Sequence, residues 1–137
     1  MIFQAFGAGQ PEQTLVQAAL RAALAEQDFP MTAGTQQRDW IALDDVVAGL
    51  TAMVAADLPP GTTVDLGTGK LTSVAEVVQL IYELVGRKGK PLVGRLPSRP
   101  GETAVQVADA ERTEGLSGCR VAKSLPDGIR ELIDNGQ

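Results

Sequence analysis

An α/β fold is predicted for this chain of 137 residues, and three observations predict it. Apolar residues recur at helical spacing in several separate stretches. Short runs rich in apolar and β-branched side chains lie between them. Glycine and proline punctuate the joins. The length fits one domain with one modest core, and no linker or internal repeat divides it, so residues 1–137 are expected to form a single unit.

Residues 2–6 (Ile2, Phe3, Ala5 and Phe6 among them) read as a short first strand, closed by a turn over Gly7-Ala8-Gly9-Gln10-Pro11. Leu15, Ala18, Ala19, Ala22 and Ala23 predict a helix over about 12–27, with alanines that allow close packing. After a loop with Pro30 and Gly34, the apolar segment Trp40-Ile41-Ala42-Leu43 leads into a second helix. Asp44 is placed at its N-cap and Asp45 in its first turn, beside the positive helix end. That helix runs through Val46, Val47, Leu50, Met53 and Val54 and stops before Pro59-Pro60-Gly61.

Thr63 to Leu66 reads as a strand ending at Gly67-Thr68-Gly69. Ser73 and Glu76 have capping-box spacing, Val74, Val77, Val78, Ile81 and Val85 line one face, and Gly86 ends the helix. Leu92-Val93 and Ala104 to Val107 are read as short strands, separated by a stiff loop with Pro97, Pro100 and Gly101. A short helix over Asp109 to Leu116 follows, and then a last amphipathic helix with Ser124 and Asp127 at capping spacing and Leu125, Ile129, Leu132 and Ile133 on one face.

Composition removes whole classes of function. Apolar residues make up 44% and charged residues 21%, a folded rather than disordered composition. The net charge of -5 disfavours nonspecific nucleic-acid binding, though one or two local arginines can still hold an anion. There is no histidine and only one cysteine, Cys119, so histidine triads, cysteine-rich metal sites and internal disulfides are excluded. No apolar run reaches the length of a membrane span, and the first residues carry no signal-peptide pattern, so a cytoplasmic location is expected.

Gly67-Thr68-Gly69-Lys70 invites a phosphate-loop reading, but the motif needs glycine at 64 and serine or threonine at 71, where Val64 and Leu71 stand. Gly7-Ala8-Gly9 is half of a dinucleotide fingerprint, with Glu12 where the third glycine belongs. Two segments hold more. In Arg38-Asp39-Trp40 an arginine able to grip a phosphate through two parallel hydrogen bonds adjoins the sole tryptophan; the other reading is a surface charge beside a core aromatic. In Arg95 to Glu102 a stiff turn presents Arg99, with Glu102 able to orient it or accept from a ribose hydroxyl; the other reading is a solvated loop. Asp44 and Asp45 could be paired acid/base carboxylates, but cap and dipole roles explain them with fewer assumptions.

The order of these pieces resembles the extended short-chain dehydrogenase/reductase family, which holds nucleotide-sugar epimerases and 4,6-dehydratases. Four stretches carry the resemblance: Gln4-Ala5-Phe6-Gly7-Ala8-Gly9-Gln10; Gly34 through Arg38-Asp39-Trp40 to Asp44-Asp45-Val46; Leu66-Gly67-Thr68-Gly69 with Ser73 and Glu76; and Arg99-Pro100-Gly101-Glu102 followed by Asp109, Leu116 and Leu125-Pro126-Asp127-Gly128-Ile129. The resemblance implies the C-terminal, substrate-binding part of such an enzyme, with late strands of a mostly parallel sheet and a small helical region. It implies a nucleoside diphosphate sugar as ligand, with Arg38 and Arg99 on phosphates or ribose, Glu102 orienting the nucleotide end, and Gln4 in the place of a diphosphate-binding asparagine.

Departures accompany it. Met1 stands where the family has an arginine, and Ala8 where it has a proline. The glycine-rich cofactor fingerprint is absent from these residues, and so is the catalytic Tyr-x-x-x-Lys pair: the only tyrosine, Tyr82, is followed four residues later by Gly86. No catalytic residue is therefore assigned, and NAD is implied only for a complete family enzyme. The resulting expectation is a nucleotide-sugar-binding module, catalytically incomplete alone and covered by a homodimer partner or a separate cofactor-binding chain. The alternative is a non-enzymatic scaffold or a remnant that kept the fold and lost the ligand.

Overall fold

In the computed structural model, residues 1–97 and 107–135 are described. The chain opens with strand β1 (Gln4–Phe6), which lies parallel to β4 (Trp40–Ala42) in the register Gln4 to Trp40, Ala5 to Ile41 and Phe6 to Ala42. On its other side the start of the chain meets Leu66: Phe3 N–H donates to the Leu66 carbonyl at 3.0 Å and Leu66 N–H to the Met1 carbonyl at 2.8 Å. The strand expected over 63–66 is thus reduced to one parallel bridge between Ile2 and Leu66. Two further ladders are equally short: β2 (Phe29–Pro30) beside β6 (Pro91–Leu92), parallel, and β3 (Gln37–Arg38) against β5 (Thr72–Ser73), antiparallel.

Five helices pack around these ladders among the described residues: α1 (Leu15–Leu24), α2 (Leu43–Ala55), α3 (Val74–Val85), α4 (Ala110–Ser117) and α5 (Leu125–Asp134). The larger core lies between α1, α3 and α5 and contains Phe6, Leu20, Trp40, Val77, Ile81 and Ile129. Ala19 and Ala23 are fully buried where α1 meets α3, as expected of residues small enough to let two helices approach. A smaller core joins Ile41, Val46 and Leu66 beneath α2.

Local capping signals are realised at the later helices. Ser73 accepts from the Glu76 amide while Glu76 reaches back to the Ser73 amide, and Gly86 ends α3 in the left-handed conformation. Asp109 and Ser124 cap α4 and α5 through the amides of Arg112 and Asp127.

Two boundaries differ from expectation. Helix α1 begins at Leu15 rather than near 12, because Pro11 to Thr14 form a turn in which the Thr14 hydroxyl donates to the Pro11 carbonyl. Helix α2 takes Ala42, not Asp44, as its N-cap. Strand β4 runs directly into the helix, so the extended boundary residue is a buried alanine and Asp44 falls inside the first turn. The strand expected at Ala104 to Val107 lies largely outside the described residues.

Candidate functional site

Arg38, Asp39 and Trp40 are consecutive and have three different fates. Arg38 is half-buried on β3, opposite Thr72 of β5, and its guanidinium donates to the Gln37 carbonyl at 3.0 Å. Trp40 is buried in the core, and its indole N–H donates to the Thr72 carbonyl at 2.9 Å. Asp39 is 1% exposed. One of its carboxylate oxygens accepts the Thr68 amide and hydroxyl, both at 2.7 Å; the other accepts the amides of Gly69 at 2.9 Å and Ala108 at 3.1 Å.

A buried carboxylate needs such partners, since an unpaired one would be strongly destabilising. Asp39 therefore joins three distant segments: the link between β3 and β4 on which it sits, the 67–69 turn and the approach to α4. The turn needs glycine at 67 for this. A Cβ there would stand 2.5 Å from the Ala108 Cβ and 2.8 Å from an Asp39 carboxylate oxygen.

Gln4 is exposed on β1, and its main-chain N–H donates to the Asp39 carbonyl at 3.0 Å. The fold thus brings Gln4 beside the Arg38-Asp39-Trp40 segment across the β1–β4 pair. Arg99 and Glu102, the other two predicted ligand contacts, lie outside the described residues. A cavity of about 1070 Å³ is lined in part by Trp40, Thr68, Thr72, Gln79, Lys123 and Leu125. Neither Gln4 nor Arg38 is among the described residues lining it.

The Gly7–Gln10 loop is held from within. The Gln10 side chain accepts the Gly7 amide at 3.2 Å and donates to the Ala5 carbonyl at 3.1 Å, while Gln17, buried on α1, donates to the Gly7 carbonyl at 3.0 Å. The amide a dinucleotide phosphate would seek at Gly7 is already bonded to protein, so this loop does not fit a pyrophosphate cradle.

Asp44 and Asp45 also separate. Asp45 is buried and accepts the amides of Ala122 and Lys123, each at 3.0 Å. Asp44 is exposed and pairs with the Lys123 ammonium, which also meets Glu131, both at 2.6 Å. Hydrogen bonds that the Lys123 ammonium donates to the carboxylates of Asp44 first and Glu131 second hold it well above the usual lysine pKa. The pair is structural in placement, with no shared acid/base geometry. Among the described residues no cluster of histidine, cysteine or carboxylate side chains could hold a metal ion, and no helix is long and apolar enough to cross a membrane.

Sequence reasoning missed the roles of Asp39, Asp45, Gln10 and Gln17. A usable signal existed for Asp39: an acidic residue directly before a buried aromatic must find donors, and Gly67-Thr68-Gly69 is a turn with amides to offer.

The family model described as NAD dependent epimerase/dehydratase family matches residues 1–67, the span that contains β1, Arg38-Asp39-Trp40 and α2. The chain belongs to the NAD-dependent epimerase/dehydratase family. Its curated relatives in that family include the uncharacterized UDP-glucose epimerase YtcB of Bacillus subtilis, 32% identical over 111 residues that make up 78% of this chain and 34% of that protein. A UDP-glucose 4-epimerase of Cyamopsis tetragonoloba is 30% identical over 108 residues, 76% of this chain and 30% of that protein. The chain thus spans about a third of the length of these epimerases.

Solved structures agree on the fold. The Thermotoga maritima UDP-glucose 4-epimerase with UDP-glucose superposes with a TM-score of 0.85 at 21% identity, over 98% of this chain and 45% of that one. The Bordetella bronchiseptica enzyme WbmF in complex with NADH gives a TM-score of 0.80 at 26% identity, over 97% of this chain and 43% of that one.

Proposed function

We propose that this chain is a nucleotide-sugar-binding unit of an epimerase/dehydratase-type enzyme, with Arg38 as its central contact to the diphosphate. One observation carries the reading: Arg38 sits on a strand pair fixed from both sides, by the buried Asp39 carboxylate at the 68–69 turn and by the Trp40 indole at Thr72. A guanidinium has the donor geometry to give a phosphate two parallel hydrogen bonds, and the fixed strand pair defines where its backbone sits. Gln4, on the strand whose main chain bonds to Asp39, is proposed as a further contact, and Arg99 and Glu102 would add a second arginine and a ribose acceptor.

In a complete enzyme of this type, NAD supplies the hydride acceptor for transient oxidation of the sugar. The present residues bind and orient the sugar nucleotide, which contributes to rate through positioning. The cofactor site and proton relay belong to polypeptide outside the 137 residues, whether a cofactor-binding partner chain or another segment, and the assembly is cytoplasmic. Leu43, Val47, Leu50 and Val54 follow a 4-3-4 spacing along α2 and are all exposed, Val54 at 85%. A helix face of this kind supports association with a second protein surface, such a partner or a second copy. It equally favours the other reading, an interaction module without ligand.

Calorimetric titration with UDP- and dTDP-sugars tests the proposal. Saturable binding, weakened tenfold or more in Arg38→Ala, is the expected result. A folded, monodisperse chain that binds none of them overturns the autonomous binding unit and leaves the interaction module.

A further inference from the structure

Arg38 stands on a strand of two residues, and a ladder that short does not hold its own geometry. We infer that Asp39 is the positioning residue for Arg38, acting through the 68–69 turn and β5, an inference that rests on the nucleotide-sugar reading above. The Asp39 side chain is 1% exposed, so it does not meet a ligand in solvent. Its four donors come from Thr68, Gly69 and Ala108.

Only Lys70 and Leu71 separate Gly69 from Thr72, the partner of Arg38 across β3 and β5. The Trp40 indole ties that same Thr72 from the other direction. The backbone that displays Arg38 is therefore pinned one residue away by Asp39 and across the ladder by the turn Asp39 organises. Loosening the turn leaves the guanidinium chemically intact and spreads it over more orientations, which weakens a two-bond contact to a phosphate far more than a solvent-exposed charge effect would.

Asp39→Asn is the sharper variant. Its amide NH2 replaces one acceptor oxygen, so either the Thr68 donors or the Gly69 and Ala108 amides lose their partner. Thr68→Val is the gentler one and removes a single donor from the carboxylate. Each is made in the natural chain and in Arg38→Ala, and UDP-glucose is titrated by NMR, which follows dissociation constants into the millimolar range.

The expected result is a loss of tenfold or more for Asp39→Asn and about threefold or more for Thr68→Val when Arg38 is present, shrinking below twofold when Arg38 is alanine. Equal losses in both backgrounds would mean that Asp39 only maintains the fold, and would overturn the inference. If Asp39→Asn does not fold, Thr68→Val decides alone by the same comparison. A natural chain that binds UDP-glucose with no loss in Arg38→Ala removes Arg38 as the contact to be positioned, and a natural chain that binds nothing removes the nucleotide-sugar reading beneath it.

Discussion

The buried carboxylate of Asp45 accepts the main-chain amide of Lys123, 78 residues away, at 3.0 Å, while Asp44 takes the same lysine by its side chain at 2.6 Å. The two neighbouring acids thus seat the segment before α5 against the first turn of α2, one from inside and one from the surface.

The two should differ sharply on removal. Asp45→Ala strips partners from two amides and is expected to cost about 3–6 kcal/mol, each charge-assisted bond contributing roughly 1.5–3 kcal/mol. Asp44→Ala breaks a solvent-exposed ion pair and is expected to cost less than about 1 kcal/mol. Urea denaturation followed by Trp40 emission measures both, since Trp40 is the only tryptophan and is buried. Equal losses would show that the Asp45 bonds do not hold the segment.

Gly67→Ala should be costly although its backbone is not left-handed. The new methyl would press on the Ala108 Cβ and on Asp39, neither the tip of a flexible chain, and overpacking of this kind costs typically about 1–3 kcal/mol. Gly61→Ala is the contrast. There the methyl meets open space, and the loss reflects only the left-handed backbone at φ +85°. A Gly67→Ala chain as stable as the natural one would argue that residue 108 can move away from the turn.

The helices were readable in the sequence, and the ends of α3 fully so, because their causes are local. Ser73 and Glu76 are three residues apart and need nothing else to close their capping box, and Gly86 stops α3 by its own conformation. The family was readable from the order of short motifs. The working parts of Asp39 and Asp45 were not, because their partners lie 29 to 78 residues away and are mostly backbone amides, which no side-chain pattern announces. For the same reason Asp44 was read as a cap: adjacency to a helix start is visible in sequence, but the salt link to Lys123 is not. The β3–β5 ladder escaped for a related reason, since a strand of two residues has no alternation to detect.

Ser73→Ala tests the one element whose ends were fully legible. Loss of the hydroxyl frees the Glu76 amide and opens half of the capping box, and an N-cap change of this type costs about 0.5–2 kcal/mol. Ser73→Asp should recover most of it, because aspartate caps as well as serine and adds a favourable charge at the helix start. The order natural chain, Asp, Ala in denaturation midpoint is the expected outcome. An alanine variant matching the natural chain would place the stability of α3 wholly in its packing on α1 and α5.

Stability should fall at alkaline pH, and the sign follows from two groups. The Tyr82 hydroxyl donates to the Gln27 carbonyl at 2.5 Å, and its pKa lies above the ordinary value because burial, and secondarily the charge of Asp28, disfavour the phenolate. The Lys123 pKa is raised because the ammonium is hydrogen-bonded by Asp44 and Glu131. In both cases the folded chain holds its proton more tightly than the unfolded chain does. The stabilisation is therefore complete below the unfolded values, about 10 for tyrosine and about 10.4 for lysine, and is lost as pH rises through the higher folded values. Urea midpoints measured from pH 8 to 11.5 should decline above about pH 10. Tyr82→Phe should start lower by about 1 kcal/mol, the net contribution of one hydrogen bond, and decline less steeply. Because Tyr82 is the only tyrosine, its phenolate absorbance can be followed directly and should appear at higher pH in the folded chain than in urea. An unchanged alkaline slope in Tyr82→Phe, with coincident absorbance titrations, would assign the decline to Lys123 rather than Tyr82.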